Sequence, residues 1–295
     1  MSLTTAPTRL TLEPLSGSIG TVVHDLDVRD LDDATIAALR DVWLDRKVLF
    51  FPRQDLTPAE HVTFARRFGE VTESHPVIPG IDGQPEVFEL DYSRPRELAT
   101  QYGDVAYRRQ GLDWHTDVTF VARPPLGSIL RAVTIPERGG DTQWSDQQAA
   151  FADLSPALQD FLRGLHAVHD GRAAFRRALE LVGQGQWEGH PVQSLEPVVH
   201  PVVRRHEETG AEVLFVNPGF TSHIVELSRR ESDALLHFLY AHAVRPEFTV
   251  RFHWHAGDLG FWDNRATMHS VTGDFGDSPR VIQRVTLRGT APVDA

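Results

Sequence analysis

Apolar and polar residues alternate over short stretches through most of the chain, with the two-residue period expected of strands that bury one face. Turn residues separate these stretches, so a succession of short strands is predicted. Residues 10–28 are predicted to form one or two strands around a turn at 17–20, and residues 47–51 a buried strand closed by Pro52. Further strands are predicted at 86–90, 118–121, 128–134, 142–144, 197–204, 212–216, 248–253, 259–263 and 280–289.

Helical spacing of apolar residues is restricted to the first quarter of the chain and to segments between the later strands. One helix is predicted to begin at Asp32 or Asp33, and capping boxes at 57–60 and 228–231 start two more. Residues 145–165 are predicted to be helical in two parts. This mixture predicts a mainly β fold, a jelly-roll barrel with helices packed on one face.

The composition is that of a globular protein. The 295 residues are 41% hydrophobic with a mean hydropathy of −0.28, and neither a linker nor a repeat divides them, so residues 1–295 are predicted to form one domain. The formal net charge of −12 argues against nucleic acid and anionic membranes as partners. The absence of cysteine excludes disulfides and suits the cytoplasm, where we expect the protein to work. Neither a signal peptide nor a membrane-spanning run is predicted.

Two segments far apart in the chain carry side chains that bind metals. His115 and Asp117 are two residues apart, so on one strand they would face the same side, and His269 would come from a distant strand. Two imidazoles and one carboxylate are the facial ligands of non-heme Fe(II), and they leave positions open for a chelating 2-oxoacid and dioxygen. The alternative is a structural histidine beside an aspartate that caps a turn, because His-x-Asp alone is a weak motif in a chain with 15 histidines.

Two arginines near the end of the chain have the spacing of an anion site. Arg280 and Arg284 are four residues apart, so both would project from the same side of a strand. Two arginines on one inward face are costly to bury without anions. A guanidinium can grip a carboxylate, such as the distal one of 2-oxoglutarate, through two hydrogen bonds. The alternative is a pair of solvated surface residues.

Several motifs give the chain a resemblance to a known family. They are residues 14–20, 114–120 (Trp-His-Thr-Asp-Val-Thr-Phe), 139–142 (Gly-Gly-Asp-Thr), 215–220, 262–269 (Trp-Asp-Asn-Arg-Ala-Thr-Met-His) and 280–289. With them the chain resembles, over almost its whole length, the 2-oxoglutarate-dependent taurine dioxygenase family, which also includes aryloxyalkanoate-cleaving enzymes and alkylsulfatases. The resemblance implies a double-stranded β-helix (jelly-roll) barrel core flanked by helices. It also implies Fe(II) as cofactor, with 2-oxoglutarate and dioxygen as co-substrates.

The resemblance implies a role for each candidate residue. The expected iron ligands are His115, Asp117 and His269. The residues expected to hold 2-oxoglutarate are Thr142 and Arg280. The residues expected to bind the anionic head and line the substrate pocket are His75, Phe175, Phe220 and Arg284. No catalytic residue is expected beyond the metal ligands.

The chain departs from the taurine dioxygenase pattern in the expected substrate pocket. Ile78 stands where those enzymes carry a tyrosine, and Gly111 where an asparagine is usual. Both changes remove polar groups that would bind an ammonium. The segment 92–112 is longer than its counterpart and rich in tyrosine and arginine. It is interpreted as a lid that excludes water over the iron, or alternatively as a surface loop.

The leading interpretation is an Fe(II)- and 2-oxoglutarate-dependent dioxygenase that hydroxylates a small sulfonate such as taurine and releases sulfite and an aldehyde, with succinate and CO₂. The same chemistry on an alkyl sulfate or aryloxyalkanoate is an alternative. A zinc hydrolase would leave Arg280 and Thr142 without a role, and a silent jelly-roll binding protein would not need three intact ligands. The expected partners are a small anionic substrate and further copies of the chain in a homodimer or homotetramer, but neither nucleic acid nor a membrane.

Overall fold

The computed structural model describes residues 10–92 and 114–295. The α-helices of these residues are α1 (Asp33–Arg46), α2 (Pro58–Arg66), α3 (Gln147–Ala152), α4 (Pro156–Leu162), α5 (Arg172–Val182) and α6 (Arg229–Ala243), and a 3-10 helix follows at Pro246–Phe248. None of the described helices combines the length and the apolar character needed to cross a membrane.

The helix starts follow from local capping. The side chain of Asp32 accepts a hydrogen bond from the Thr35 amide at 2.7 Å and so caps α1. Helices α2 and α6 begin with the capping boxes of Thr57 and Ser228, in which side chain and main chain bind reciprocally. These predicted helix starts are confirmed.

The strands of the described residues are, in chain order, β1 (Thr11–Pro14), β2 (Thr21–His24), β3 (Val48–Phe51), β4 (Phe88–Asp91), β5 (Gly127–Thr134), β6 (Thr142–Asp146), β7 (His166–His169), β8 (Gly185–Trp187), β9 (His190–Val192), β10 (Val198–Pro201), β11 (Val203–Arg205), β12 (Glu212–Leu214), β13 (Thr221–Ile224), β14 (Thr249–Phe252), β15 (Leu259–Asp263), β16 (Thr267–Val271), β17 (Val281–Leu287) and β18 (Val293–Asp294). The major sheet has the order β1-β2-β3-β15-β5-β17-β4, and the minor sheet β14-β6-β16. Smaller sheets are β10-β7-β13, β12-β11-β18 and β8-β9.

Side chains of the major sheet alternate between two apolar layers. In β3, Val48 and Phe50 belong to an inner layer shared with the minor sheet, whereas Leu49 and Phe51 pack in an outer layer with residues of α1 and α2. All four are fully buried. Burial of a side chain of this size contributes about 1.5–3 kcal/mol, so both faces of the strand stabilise the sheet.

The inner layer joins the major and minor sheets into one barrel. The ring of Trp144 in β6 lies 5.2 Å from that of Phe50 in β3 and 5.8 Å from that of Trp262 in β15, measured between centroids. Three strands from two sheets therefore meet at one buried aromatic cluster. The predicted fold class, a jelly-roll core flanked by helices, is confirmed.

Several elements differ from the sequence predictions, which included no strand at the positions of β7, β8, β9, β13 and β18. The strand predicted at 118–121 is wrong, because residues 117–120 form a turn in which Val118 has a φ of 55°. Residues 118–120 are all buried and are of types common in strands, although the main chain turns at this point. Helix α5 was not predicted, since its N-cap is Gly171 and no side chain caps it. The proposed lid at 92–112 lies, beyond Tyr92, outside the described residues.

The cap of α2 provides a stability test. Replacing Thr57 with alanine removes the hydroxyl that accepts a hydrogen bond from the Glu60 amide at 3.3 Å, and should lower the free energy of unfolding by about 1 kcal/mol in chemical denaturation. The control Thr63→Ala removes a hydroxyl that donates to the Ala59 carbonyl in the same helix, and should change stability by less than about 0.5 kcal/mol. Equal losses in the two variants would contradict the capping role.

Candidate active site

Three ligand-type side chains meet beside the minor sheet. His269 lies in β16, and His115 pairs with it in an isolated β-bridge. The His115 amide donates to the His269 carbonyl at 2.9 Å, and the His269 amide donates to the His115 carbonyl at 2.8 Å. Asp117 completes the group, and the ligand atoms of the three residues lie within 4.8 Å of one another. The main-chain pairing thus brings together residues that are far apart in sequence.

The position of Asp117 corrects one detail of the sequence prediction. His115 and Asp117 do not share one strand, because Asp117 begins the turn at 117–120. The side chains still converge, since Oδ1 of Asp117 is 3.9 Å from Nε2 of His115 and 3.9 Å from Nε2 of His269. A turn supplies the carboxylate that a strand was expected to supply.

Two further residues contact Asp117 and were not identified from the sequence. The Asp117 amide donates to Oδ1 of Asn264 at 2.9 Å, and Nδ2 of Asn264 donates back to the Asp117 carbonyl at 3.0 Å. The hydroxyl of Ser128 donates to Oδ2 of Asp117 at 2.8 Å. Asn264 stands inside the motif 262–269, which was its only signal in the sequence.

The protonation states of the ligands suit metal binding. Burial raises the pKa of Asp117, but Arg284 and the two histidines oppose this effect and bring the pKa to about 2. Burial lowers the pKa of His269 to about 3. At neutral pH the carboxylate is therefore ionised and the His269 imidazole is neutral, which are the forms that bind metal ions.

The donor set fits Fe(II). Two imidazole nitrogens and one carboxylate oxygen form the facial set of non-heme iron enzymes, and they leave room for a bidentate 2-oxoacid. Within residues 10–92 and 114–295, this is the one group of three or more potential ligands close enough to share an ion. The ligand residues predicted from the sequence are therefore brought together by the fold.

Arg280 is fully buried, with 0% of its surface exposed. Its Nε donates to the Gly140 carbonyl at 3.2 Å, and among the described residues neither terminal nitrogen has a hydrogen-bond partner. The guanidinium carbon lies 5.7 Å from the ring centroid of Tyr92 and 5.8 Å from that of Phe275. Because an unpaired buried charge is costly, this environment fits an anion held by the two free nitrogens.

The Gly-Gly motif before β6 makes room for Arg280. Gly140 has a φ of +72°, and a Cβ at this position would lie 3.2 Å from both Cδ and Nε of Arg280. Gly139 has a φ of +74°, and its Cβ would approach the Asp274 carboxylate at 2.5 Å. Asp274 in turn accepts a hydrogen bond from the Gly140 amide at 2.9 Å. The motif is therefore explained by close packing beside the arginine.

Thr142 lies at the start of β6 and is buried. Its hydroxyl oxygen accepts a hydrogen bond from Nε1 of Trp254 at 2.9 Å. With the oxygen engaged as an acceptor, the hydroxyl hydrogen of Thr142 can be donated to a carboxylate. Trp254 thus orients the threonine, a contact that sequence patterns did not indicate.

His75 is buried and has a defined tautomer. Its Nδ1 accepts hydrogen bonds from the amides of Val77 at 3.1 Å and Ile78 at 3.2 Å. Burial and, after it, the nearby Arg284 lower the pKa of His75 to about 3, so the ring is neutral. The ring hydrogen therefore resides on Nε2, where it can be donated to an anion. The side chain of Ile78 is buried, whereas Gly111 lies outside the described residues.

Arg284 contacts Asp117 and is close enough to His75 to lower the pKa of that histidine. One of its terminal nitrogens donates to Oδ1 of Asp117, the oxygen that faces both ligand histidines. Its guanidinium carbon is 5.0 Å from the centroid of the Phe88 ring. Arg284 therefore contacts Asp117, one of the three candidate metal ligands, directly.

Aromatic rings form the wall between His75 and the metal ligands. Phe175 of α5 lies 4.5 Å from the His75 ring and 5.2 Å from Phe120, measured between ring centroids. Phe120 lies 4.9 Å from Phe220, which in turn lies 6.1 Å from the ring of His115. The predicted residues Phe175 and Phe220 are thus brought together with His75, and Phe120 is an additional member.

The chain matches known proteins over nearly its full length. The model of the "Taurine catabolism dioxygenase TauD, TfdA family" matches residues 11–286. An alkylsulfatase of Acinetobacter baylyi is 38% identical, covering 97% of this chain and 87% of its own. An alpha-ketoglutarate-dependent sulfate ester dioxygenase of Pseudomonas putida is 36% identical, covering 99% of this chain and 94% of its own.

A solved structure has the same architecture. A taurine dioxygenase from Burkholderia xenovorans superposes with a TM-score of 0.80 at 40% sequence identity, and the match covers 97% of this chain and 93% of that one. The family match includes the segments that carry His115, Asp117, His269 and Arg280. The protein therefore belongs to the TauD, TfdA family and is a 2-oxoglutarate-dependent dioxygenase.

Proposed function

We propose that the protein uses Fe(II), 2-oxoglutarate and dioxygen to oxidise a small organosulfur anion with an apolar tail, foremost an alkyl sulfate. The observation that carries this proposal is the combination, in one barrel, of the three ligand residues with the buried Arg280, whose terminal nitrogens have no partner among the described residues. The substrate class is supported by the relatives named alkylsulfatase and sulfate ester dioxygenase. The alternative sulfonate substrate is supported by the likeness to a taurine dioxygenase.

The co-substrate would be held by two residues. Arg280 offers both terminal nitrogens to the distal carboxylate of 2-oxoglutarate, a bidentate contact suited to its planar shape. Thr142 donates its hydroxyl hydrogen to the same carboxylate. When bound by His115, Asp117 and His269, iron with 2-oxoglutarate and dioxygen supplies the oxidant that converts a substrate C–H bond to C–OH, with succinate and CO₂ as co-products.

The anionic head group of the substrate would be held by two hydrogen-bond donors other than Arg280 and Thr142. Arg284 and the Nε2–H group of His75 offer hydrogen bonds to the oxygens of a sulfate or sulfonate. Hydroxylation of the carbon that bears the sulfate oxygen gives an unstable ester. Its C–O bond to sulfate breaks, the hydroxyl proton leaves with the sulfate as hydrogen sulfate, and an aldehyde remains.

The substrate tail would lie against the aromatic wall of Phe120, Phe175 and Phe220. An alkyl chain can pack against these rings, whereas an ammonium without a hydrogen-bond partner is costly to desolvate. Ile78 adds no polar group to the described part of this pocket. An apolar tail therefore fits better than the amine of taurine.

Metal binding is the first test. The protein reconstituted anaerobically with Fe(II) and 2-oxoglutarate should bind one iron per chain and develop a weak visible charge-transfer band, because the co-substrate can chelate at the open positions. His269→Ala should lose the band while circular dichroism and melting temperature stay near those of the unmodified protein. The control His237→Ala removes an exposed histidine of α6 and should keep the band. A full band in His269→Ala would contradict the ligand assignment.

The co-substrate contact is tested with a charge-conserving change. Arg280→Lys loses the planar fork, so the Michaelis constant for 2-oxoglutarate should rise roughly tenfold or more, while that for the organic substrate changes less. Arg284→Lys is the matched control. In this variant the Michaelis constant for the organic substrate should rise, while that for 2-oxoglutarate should change less. The reverse pattern in steady-state kinetics would mean that the two arginines have exchanged roles.

Substrate choice is tested with a series of related anions. Specificity constants for hexyl sulfate, pentanesulfonate and taurine are compared at saturating 2-oxoglutarate, with sulfate, sulfite and aldehyde as products. The two alkyl compounds should exceed taurine roughly tenfold or more, because the pocket leaves an amine unpaired. The preference should shrink in Phe175→Ser, which introduces a hydroxyl into the wall. A strong preference for taurine would refute the proposed tail specificity.

A further inference from the structure

The main-chain amide and carbonyl of Asp117 form hydrogen bonds with a side chain, whereas those of a strand residue would form them with the main chain of a neighbouring strand. Residues of paired strands satisfy their amide and carbonyl groups on a neighbouring strand, but Asp117 begins a turn. The amide and carbonyl of Asp117 are instead both bound by the side chain of Asn264. Nδ2 of Asn264 also donates to the Pro125 carbonyl at 3.0 Å. The asparagine amide therefore replaces the missing strand partner.

The turn that Asn264 holds is unfavourable on its own. Val118 has a φ of 55°, a left-handed conformation that β-branched residues rarely adopt. Backbone of this kind costs about 1–3 kcal/mol and persists only where its surroundings fix it. On the other side of Asp117, the hydroxyl of Thr116 donates to the Thr267 carbonyl at 2.9 Å. The position of the carboxylate therefore depends on contacts from Asn264, which follows β15, and from Thr267 of β16.

Asn264 is itself rigidly placed. Its own amide donates to the Leu126 carbonyl at 3.0 Å, and its side chain is almost fully buried. Its neighbours in sequence, Asp263 and Arg265, form a buried ion pair at 2.7 Å. Nε2 of His206 lies 2.9 Å from Oδ2 of Asp263 and further fixes this ion pair. The amide that holds the ligand is thus anchored on both sides.

Ser128 fixes the remaining freedom of Asp117, the rotation of its carboxylate. The serine lies in β5 and is fully buried. Its hydroxyl donates to Oδ2, while Oδ1 is the oxygen that faces His115 and His269. Ser128 thus engages Oδ2, whereas Oδ1 faces the two histidines and accepts a hydrogen bond from Arg284.

We infer that Asn264 and Ser128 are positioning residues for the metal ligand Asp117. Asn264 fixes the main chain of the ligand, and Ser128 fixes its carboxylate. The inference rests on the proposed role of Asp117 as an iron ligand. Residues that orient a metal ligand typically change metal affinity by about 10–100-fold when they are removed, so the effect is measurable.

The test of Asn264 uses a control with the same local chemistry. Gln54 is also buried, its Oε1 accepts from the Val28 amide at 2.9 Å, and its Nε2 donates to the Leu26 and Pro52 carbonyls at 2.8 and 2.9 Å. Asn264→Ala and Gln54→Ala should therefore lower the melting temperature of the metal-free protein similarly. The Fe(II) dissociation constant, titrated anaerobically by the charge-transfer band at saturating 2-oxoglutarate, should rise roughly tenfold or more only for Asn264→Ala.

Two further variants make smaller changes and test the same inference if Asn264→Ala does not fold. Asn264→Asp keeps an acceptor for the Asp117 amide but loses both donors, and should weaken Fe(II) binding. Ser128→Ala removes a single oxygen atom and should raise the Fe(II) dissociation constant by about tenfold. Its control is Ser145→Ala in β6, where an equally buried hydroxyl donates to the Ala243 carbonyl, and where the constant should not change.

The outcomes separate this inference from the proposed function. If the unmodified protein develops no band with Fe(II) and 2-oxoglutarate, the proposed metal site itself is wrong. If it develops the band, and Ser128→Ala and the folded Asn264 variants bind Fe(II) within about twofold of it, the positioning role is overturned. An equal loss of Fe(II) affinity in Gln54→Ala and Asn264→Ala would also overturn it, because the effect would then follow from stability alone.

Discussion

The guanidinium groups of Arg280 and Arg284 lie at the candidate site, the first fully buried and the second largely so, and the site depends on how their charges are compensated. Arg284 is paired with Asp117, which keeps that carboxylate ionised and lowers its pKa. Arg280 has no such partner among the described residues, and burial alone is costly for a cation. The same physical constraint thus keeps the candidate metal ligand Asp117 ionised and makes Arg280 suited to bind an anion.

The strand period places the charge of Arg284, whereas Arg280, which was predicted to share the strand, lies just before β17 and is separated from the regular alternation by a register shift between Val281 and Ile282. In β17, Ile282 belongs to the inner layer of the barrel, whereas Val285 and Leu287 belong to the outer layer with α1 and α2. Arg284 follows the inner set, and its register is fixed by pairing with Leu130 of β5. If the register of β17 against β5 shifted by one residue, Arg284 would move into the layer that faces the helices. The hydrophobic pattern that fixes the register therefore also fixes the position of this arginine.

Local patterns predicted much of this structure, and long-range contacts account for what they missed. The capping box of Thr57 and the ligand set with His269 could be found because each has a short sequence signature. The turn at 117–120 could not, because its buried residues have the composition of a strand. The role of Asn264 depends on a contact with a residue far away in sequence, which neither propensity nor spacing reports. Helix α5 was missed because no side chain marks its start.

The proposed metal ligand Asp117 and part of the proposed substrate wall belong to one structural unit. Phe120 belongs to the turn that begins at Asp117, and a Cβ on Gly171 would lie only 2.6 Å from the Phe120 ring. Asn217 donates to the Thr119 hydroxyl at 3.1 Å and accepts from the Phe220 amide at 2.9 Å. A change in this turn would therefore disturb the proposed iron ligand and the proposed substrate wall together. Phe175 lies on α5, outside the turn, so variation there can alter the choice of tail while the metal ligands stay in place.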